Sequence, residues 1–261
     1  MNKKVETELN KILADKTSGS VELLERINFF LHKNYNQIPN KLSIISSLQQ
    51  HFKSFENIQS YLKKLKLLIQ QDSLSINFFK KFKINSSSTF NKIYSNALPF
   101  LKKKKTILTI SNSTTVFETI NRLPTKDKLH LIICESRPKL EGRSLAKKLI
   151  HEKIKVELIT EALAGNYIQK CDCVLIGADA ILKNSNVVNK IGSLQLAILC
   201  RYYKKPFYVL ADRSKFSSRM KSKQKKEDSD EVWKGAPKKM IIKNIYFEEI
   251  PKYLITKIIT D

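Results

Sequence analysis

Apolar residues recur at two different spacings along the chain and divide it into two regions. Up to about residue 101 the spacing is three or four positions, as in Leu42, Ile45 and Leu48, which is typical of amphipathic helices. The polar stretch Asp15–Ser20 interrupts this pattern and predicts the end of one helix and the cap of the next. Residues 1–101 are therefore predicted to form a helical N-terminal domain of five or six helices.

After residue 105 the pattern changes to short apolar segments that alternate with helical ones. The predicted strands are Thr106–Ile110, Leu129–Cys134, Val156–Thr160, Val174–Ile176, Phe207–Leu210 and Met240–Ile242. The predicted helices between them are Thr114–Arg122, Leu140–His151 and Ile191–Tyr203. Alternation of this kind favours a parallel sheet with helices on both faces. The sequence thus predicts an α/β protein whose second domain, residues 102–261, is a Rossmann-like, mainly parallel, doubly wound sheet.

Two charged stretches fall outside the predicted elements. The lysine run at 102–105 lies at the predicted domain boundary, and we interpret it as a solvated linker. Residues 217–239 mix basic and acidic side chains and end in Gly235-Ala236-Pro237. That composition predicts an exposed, mobile loop before the last strand.

Composition limits the class of protein. The 261 residues are 42% apolar, which is enough for a sizeable core. The sequence contains no run of about 18 uncharged apolar residues, the length that crossing a membrane requires. The N-terminus becomes acidic at Glu6 and lacks the apolar segment of a secretion signal. Four cysteines show neither a disulfide framework nor the spacing of a zinc site. We expect a reduced, cytoplasmic protein with no membrane contact, no metal site and no cofactor.

The formal net charge of +24 raises the question of a nucleic-acid partner, because lysine and arginine neutralise phosphates. Nucleic-acid surfaces tend to use arginine, whose planar fork matches phosphate and guanine. Lysines dominate here and are spread over the whole length. We interpret the charge as compositional bias and expect at most a weak, non-specific contact with RNA.

Polar residues follow several of the predicted strands and are candidates for binding a ligand. Ser111 and Ser113 lie in the loop after the first strand and open a helix, where backbone N–H groups and hydroxyls suit a phosphate. Arg137 follows the second strand and could bind a carboxylate or phosphate with two hydrogen bonds. Simpler roles are open for both places: a helix cap for the serines, and a structural ion pair among Glu135, Arg137 and Arg143.

Three more candidates lie further along the chain. Asp179 follows the buried run Val174–Ile176, where a carboxylate could act as a general base, bind sugar hydroxyls, or cap the next helix. Asn189 and Lys190 precede a predicted helix, so Lys190 would lie where an anion also feels the helix dipole. Lys215 comes just after the strand Phe207–Leu210. Because carboxyl ends of parallel strands share one edge, we expect these residues to converge.

Four motifs together resemble the initiation factor 2B alpha/beta/delta family, which also contains methylthioribose-1-phosphate isomerase and ribose-1,5-bisphosphate isomerase. They are Glu-Ser-Arg-Pro-x-x-Glu-Gly-Arg at 135–143, Gly-Ala-Asp-Ala at 177–180, Asn-Lys-Ile-Gly at 189–192 and Ser-Lys-Phe at 214–216. The stretch 15–20 is similar to a further, shorter motif. The resemblance implies a helical domain, a Rossmann-like domain, and a homodimer or higher oligomer formed through the latter.

The same resemblance implies two different functions. In the isomerase members a cysteine in the first-strand loop and the aspartate of Gly-Ala-Asp act on a sugar 1-phosphate. Asp179 matches that aspartate, but Ser111 occupies the cysteine position. A thiol can be tuned to ionise near neutrality, whereas a serine hydroxyl needs a neighbouring base, and no histidine lies near this loop in sequence. A serine suits the initiation factor branch, which lacks the catalytic pair.

We therefore favour a regulatory, initiation factor 2B-like subunit that contacts translation initiation factor 2 and keeps a pocket for a phosphorylated small molecule, a sugar phosphate or a nucleotide. The alternative is an aldose–ketose isomerase of a ribose 1-phosphate derivative, with Asp179 and Ser111 as catalytic residues. In either case the expected ligand-binding residues are Ser18, Gly19, Ser111, Ser113, Arg137, Asp179, Asn189, Lys190 and Lys215.

Overall fold

The computed structural model describes residues 3–15, 17–222 and 225–261, with only the backbone described at 83–86. Five α-helices occupy the first part of the described chain: α1 (Lys3–Leu13), α2 (Ser20–Asn34), α3 (Lys41–His51), α4 (Glu56–Gln70) and α5 (Asn77–Leu101). A 3-10 turn, Tyr35–Gln37, follows α2. The predicted break at Asp15–Ser20 is confirmed on its described residues, because α1 ends and α2 begins there; Lys16 lies outside the described residues.

The helices bury the apolar positions that recur at helical spacing. In α4, Ile58, Leu62 and Leu65 are at most 1% exposed, as expected for side chains on one face of a helix. The first part of α5 contributes Phe79 to this core, whereas its last turns contribute Ile93 to the core beneath the sheet. Helix α5 therefore connects the two packed regions.

The second part of the chain is an α/β sheet region. Its strands are β1 (Thr106–Ile110), β2 (His130–Cys134), β3 (Lys155–Ile159), β4 (Cys173–Ile176), β5 (Ala180–Ile181), β6 (Val187–Lys190), β7 (Phe207–Leu210), β8 (Phe247–Ile250) and β9 (Lys257–Ile259). Its helices are α6 (Thr114–Asn121), α7 (Glu141–His151), α8 (Ala164–Ile168) and α9 (Ser193–Tyr202).

The main sheet has six parallel strands in the order β3-β2-β1-β4-β7-β9. Helices α6 and α7 pack on one face together with the end of α5, and α8 and α9 pack on the other. Strands buried on both faces are nearly continuous apolar runs, and the residues of β4 and β7 are all buried. This arrangement confirms the predicted Rossmann-like, doubly wound fold.

A second, antiparallel sheet of three strands, β5-β6-β8, was not predicted. The strand predicted at Met240–Ile242 is wrong: this segment has no regular structure, and Ile241 is 87% exposed. A strand needs a partner edge as well as apolar residues, and the edges of β6 and β7 are taken by β8 and β9.

Among the helices of the described ranges, none has the length and apolar composition that crossing a membrane requires.

Candidate functional site

A cavity of about 320 Å³ lies between the helical region and the carboxyl ends of β1 and β4. The strand order β3-β2-β1-β4 changes direction at β1, so the loops after β1 and β4 leave toward opposite faces of the sheet. A crevice at such a change of direction is where open α/β sheets bind their ligands. A volume of this size suits a small molecule.

The loop after β1 forms one wall of the cavity. Ser111 has a positive φ of 71°, and its backbone N–H donates to Ser136 Oγ at 2.7 Å. Ser113 caps α6, since its Oγ accepts a hydrogen bond from the Val116 N–H at 3.3 Å. The first turn of α6 therefore opens onto the cavity with its backbone N–H groups, which favours an anion there.

The start of α2 lines the cavity beside the loop after β1. Gly19 precedes α2 and lies so close to the loop after β1 that an added Cβ would overlap the Asn112 carbonyl oxygen. Asp15 Oδ1 accepts hydrogen bonds from the Thr17 and Ser18 N–H groups, both at 3.0 Å. Burial raises the pKa of Asp15, but these hydrogen bonds and the nearby Arg26 outweigh it and lower the pKa overall. Two helix N-termini, those of α2 and α6, thus meet at the cavity.

Lys215, Ser20 and Asp179 all line the cavity. Lys215 Nζ is buried and donates to Ser20 Oγ. Burial raises the pKa of Asp179, although Lys215 and Lys190 draw it in the opposite direction. A carboxyl group in this state can hold or release a proton closer to neutrality than an exposed aspartate can.

A buried ion pair also lines the cavity. Lys190 Nζ lies 2.7 Å from Glu141 Oε1 and 4.9 Å from the centre of the Tyr246 ring. Burial raises the pKa of Glu141, and Asp179 adds to that effect, while Lys190 opposes it. The other carboxyl oxygen, Glu141 Oε2, is buried and makes no hydrogen bond within the described residues. It is therefore a buried acceptor without a partner in the described chain, in a residue that lines the cavity.

Asn189 and Lys190 precede helix α9, as predicted, but they lie on a strand that was not predicted. They are the last residues of β6 in the second sheet, paired with Glu248 and Phe247 of β8. Asn189 Nδ2 donates to Ser193 Oγ at 3.0 Å. The apolar pattern did not reveal this antiparallel strand, and it is the strand that brings Lys190 to the cavity.

The structure brings most of the predicted binding residues together. The lining of the cavity includes Ser18, Gly19, Ser111, Ser113, Asp179, Asn189, Lys190 and Lys215. Arg137 does not line it: its exposed guanidinium donates to the Val232 carbonyl oxygen at 3.4 Å. Of the structural ion pairs considered for this loop, the one between Arg143 and Glu135 is present at 2.8 Å.

Several lining residues were not predicted as binding residues. Ser20, Glu141, His51 and Tyr246 all face the cavity. His51 ends α3 and packs against the Phe52 ring at 4.7 Å; it is more than fifty positions from the loop after β1, so no local pattern could indicate it. Glu141 stood inside a recognised motif, but only the fold shows that it pairs with Lys190.

The segment predicted as an exposed loop, 217–239, covers one side of the cavity in its described part. Lys225 and Glu227 line the cavity, with their charged atoms 3.1 Å apart. Lys139 Nζ lies 2.5 Å from Glu231 Oε1 and ties the segment to the turn after β2.

In the described part of the chain, no group of three or more His, Cys, Asp or Glu side chains is arranged to hold a metal ion.

Comparison with known proteins agrees with this architecture. The sequence profile of the Initiation factor 2 subunit family, IF-2B, matches residues 4–261. The chain belongs to the IF-2B family. Among solved structures, the chain is similar to translation initiation factor eIF-2B of Pyrococcus horikoshii OT3, with a TM-score of 0.85, 23% identity, and coverage of 100% of this chain and 96% of that one.

Relatives of two kinds resemble this IF-2B family chain. Methylthioribose-1-phosphate isomerase of Bacillus licheniformis is 30% identical over 244 residues, which are 85% of this chain and 67% of the relative. Translation initiation factor eIF2B subunit alpha of Dictyostelium discoideum is 38% identical over 133 residues, 51% of this chain and 41% of the relative. The chain spans only about half the length of the first relatives it matches.

One structural relative of the IF-2B chain is part of an assembly. It belongs to the tetrameric eIF2B-beta2-delta2 complex of C. thermophilum, with a TM-score of 0.75 and 18% identity, and the match covers 100% of this chain and 91% of that one. At this identity the similarity is one of fold.

Proposed function

We propose that this chain is a regulatory, initiation factor 2B-like subunit that binds a phosphorylated small molecule in the cavity without converting it. In this proposal it self-associates through the sheet region and contacts translation initiation factor 2. The observation that carries it is the chemistry of the cavity wall: a polar, lysine-containing frame is present, but a hydroxyl, that of Ser111, stands at the position where the family resemblance implies a thiol.

The cysteines offer no replacement for that thiol. All four lie within the described ranges, all four are buried, and none lines the cavity. Burial raises the pKa of Cys134 to about 12 and that of Cys171 to about 11, so neither is a thiolate near neutral pH. This supports binding without turnover.

The ligand class follows from two kinds of group that line the cavity. The N-termini of α2 and α6 and the ammonium of Lys215 favour the phosphate of a ligand. The carboxyl groups of Asp179 and Glu141 favour hydroxyl groups, which donate hydrogen bonds to them. A phosphorylated sugar, alone or within a nucleotide, carries both kinds of group. A bound ligand of this type would hold the helical region against the sheet.

A second function is supported by a separate observation. The raised pKa of Asp179 and the presence of His51 on the same cavity provide two groups for proton transfer. The alternative is therefore an aldose–ketose isomerase of a ribose 1-phosphate derivative, in which Asp179 moves the proton and Ser111 assists. The similarity to methylthioribose-1-phosphate isomerases agrees with this alternative.

One set of experiments distinguishes the two functions. The purified chain is tested for turnover of ribose 1,5-bisphosphate and methylthioribose 1-phosphate, and for binding of the same compounds by calorimetry. Asp179→Asn removes the proton-transfer group. The control is Asp127→Asn, because Asp127 is exposed and lies before β2, at the opposite edge of the sheet. Turnover that Asp179→Asn abolishes and Asp127→Asn preserves contradicts the regulatory proposal and supports the isomerase.

Binding without turnover supports the regulatory proposal, provided that it depends on the cavity. We expect Lys215→Met to weaken binding at least about tenfold, since it removes a buried charge-assisted hydrogen bond. Lys103→Met, which changes an exposed lysine before β1, should bind like the unsubstituted protein. Failure to bind initiation factor 2 in a direct titration would contradict the proposed partner.

A further inference from the structure

The edge of the main sheet opposite the cavity has its own chemical character. It is formed by the amino ends of the six parallel strands, whose register is continuous: Thr106 pairs with His130, and His130 with Lys155. On the other side Val174 pairs with Phe207, and Tyr208 with Lys257. Neighbouring strands are about 4.8 Å apart, so the six strand starts extend over about 24 Å.

Basic residues adjoin all six strand starts along this edge, and we call them together the amino-edge surface. They are Lys102, Lys103, Lys104 and Lys105 before β1, Lys126 and Lys128 before β2, Lys153 and Lys155 at β3, Lys170 before β4, Arg201, Lys204 and Lys205 before β7, and Lys252 and Lys257 at β9. All are exposed except Lys104, Lys126 and Lys205, which are partly exposed. The run at 102–105, interpreted from sequence as a linker, is a short turn between α5 and β1.

The acidic residues near these strand starts do little to balance the lysines. Asp172 accepts two backbone hydrogen bonds, at 2.6 and 2.9 Å, and so is committed to the turn before β1. Glu152 lies 3.4 Å from Lys126, and Glu157 lies 3.2 Å from His130. Asp127 is exposed. The amino-edge surface therefore keeps a large positive excess.

Compositional bias alone does not account for this excess, because the opposite edge carries both signs of charge. Acidic residues follow most strands at the carboxyl edge, namely Glu135 after β2, Glu161 after β3, Asp179 after β4, Asp212 after β7 and Asp261 after β9, beside the basic residues Arg137, Lys139, Arg213 and Lys215. Nor do the helix dipoles account for it. A cation near the last turn of a helix is favourable, but four consecutive lysines after α5 exceed what one helix end requires.

A groove with one exposed aromatic ring in its lining interrupts the amino-edge surface near β7. Its volume is about 670 Å³, and its lining includes Arg201, Lys204, Lys205 and Tyr253. Tyr253 is 77% exposed, and Tyr202, at the end of α9, is 76% exposed. Large exposed rings beside basic side chains are the combination on which unpaired bases stack while their phosphates are neutralised.

We infer that the amino-edge surface binds single-stranded nucleic acid without sequence preference. Lysines act as point charges on the backbone and do not read bases, and the two tyrosines offer stacking faces to any base. A two-fold contact between copies of this chain does not fit the surface, because the two positive edges would repel each other. This inference is independent of the proposed function, since the cavity lies at the other edge of the sheet.

The test uses the full chain and a fluorescent oligouridine RNA of about 16 nucleotides, with the DNA oligomer of the same length in parallel. The triple change Lys102→Gln, Lys103→Gln and Lys105→Gln is compared with Lys63→Gln, Lys64→Gln and Lys80→Gln, three exposed lysines of the helical region. Both variants lose the same charge. We expect the amino-edge variant to bind at least about tenfold more weakly at ~0.1 M salt, with the slope of log K against log salt reduced by about 2.

The aromatic part of the inference has its own control. Tyr202→Ala with Tyr253→Ala should weaken binding about fivefold or more and leave the salt slope unchanged, because stacking releases no counterions. Phe29→Ala, on an exposed ring of α2, should have no effect. Binding of either the RNA or the DNA that follows this pattern supports the inference.

Three results would overturn it. One is equal weakening in the two lysine variants, which would show that only the net charge matters. Another is the absence of measurable binding to both oligomers at ~0.05 M salt, where electrostatic binding is strongest. The third is binding to vesicles containing phosphatidylserine with no binding to either oligomer, which would assign the surface to a membrane.

Discussion

Lys190 Nζ and Glu141 Oε1 lie 2.7 Å apart in a buried ion pair that joins the second sheet to the start of α7. Lys190 is 1% exposed and Glu141 9% exposed. The pair also forms part of the cavity wall, so it connects the packing of the second sheet with the chemistry of the site. Removing one partner leaves the other charge buried without a counter-charge. The free-energy cost of that unpaired charge exceeds the stabilisation that the pair itself provides.

We therefore predict that Lys190→Met lowers the free energy of unfolding by about 3 kcal/mol, measured by urea denaturation. The double variant Lys190→Met with Glu141→Leu removes both charges and should recover most of that loss. A double variant as unstable as the single one would contradict this account of the pair.

Asp179 makes the stability of the protein depend on pH. Its folded-state pKa is raised above the ordinary value of 3.8 because the carboxyl group is buried. The folded state therefore holds this proton more tightly than the unfolded state does, and the stability contributed by the group is complete below pH 3.8 and lost as pH rises through the folded-state pKa.

It follows that Asp179→Asn should raise the free energy of unfolding at pH 7 in the absence of ligand, and that this gain should vanish below about pH 3.8. The difference between the two urea midpoints across pH measures it. Asp127→Asn is the control, and its difference curve should be flat. A loss of stability in Asp179→Asn at pH 7 would mean that the interaction with Lys215 outweighs burial.

Two glycines at the cavity should both lose stability on gaining a methyl group, but only one of them should be rescued by a second substitution. A Cβ at Gly177 would overlap Ser113 Oγ and crowd Ser113 Cβ, both side-chain atoms, whereas a Cβ at Gly19 would overlap a backbone oxygen. We predict that Gly177→Ala and Gly19→Ala each lower stability by about 2 kcal/mol. Ser113→Gly should restore much of the loss in Gly177→Ala, because it removes the overlapping atoms and glycine is an acceptable cap.

No single side-chain change should rescue Gly19→Ala, since its clash is with the main chain. Gly165 in α8 is the matched control: an added Cβ would meet nothing within 4 Å, so Gly165→Ala should gain about 0.5–1 kcal/mol. Thermal unfolding of the set measures all of these effects. A stable Gly19→Ala would contradict the close approach of α2 to the loop after β1.

The ion pair between Lys139 and Glu231 should hold the segment that contains Trp233, the only tryptophan. Trp233 is 50% exposed. We predict that Lys139→Ala increases the quenching of Trp233 fluorescence by acrylamide, because the segment loses a charged contact with the turn after β2. Lys147→Ala changes an exposed lysine of α7 and should leave quenching unchanged. Equal quenching in both variants would show that other contacts fix the segment.

The fold class and much of the site could be predicted from the sequence. The apolar runs predicted β1, β2, β4 and β7, because strands buried on both faces must be apolar along nearly their whole length. They also predicted the edge strand β3, which is only partly buried. The polar residues after those strands predicted a site at the carboxyl edge, because parallel strands place these ends together. Ser111, Asp179 and Lys215 reach the cavity for that reason.

What the sequence could not predict depends on contacts between distant residues. Whether Lys190 lies on a strand is decided by its pairing with β8 (Phe247–Ile250). Only Ile250 of that strand is fully buried, and its sequence shows no clear apolar pattern. Arg137 satisfied every local rule for a binding residue, yet its turn points it toward Val232 and away from the cavity. The pairing of Glu141 with Lys190, and the gathering of lysines at the amino edge, follow from strand order, which only the tertiary structure decides because no local interaction encodes it.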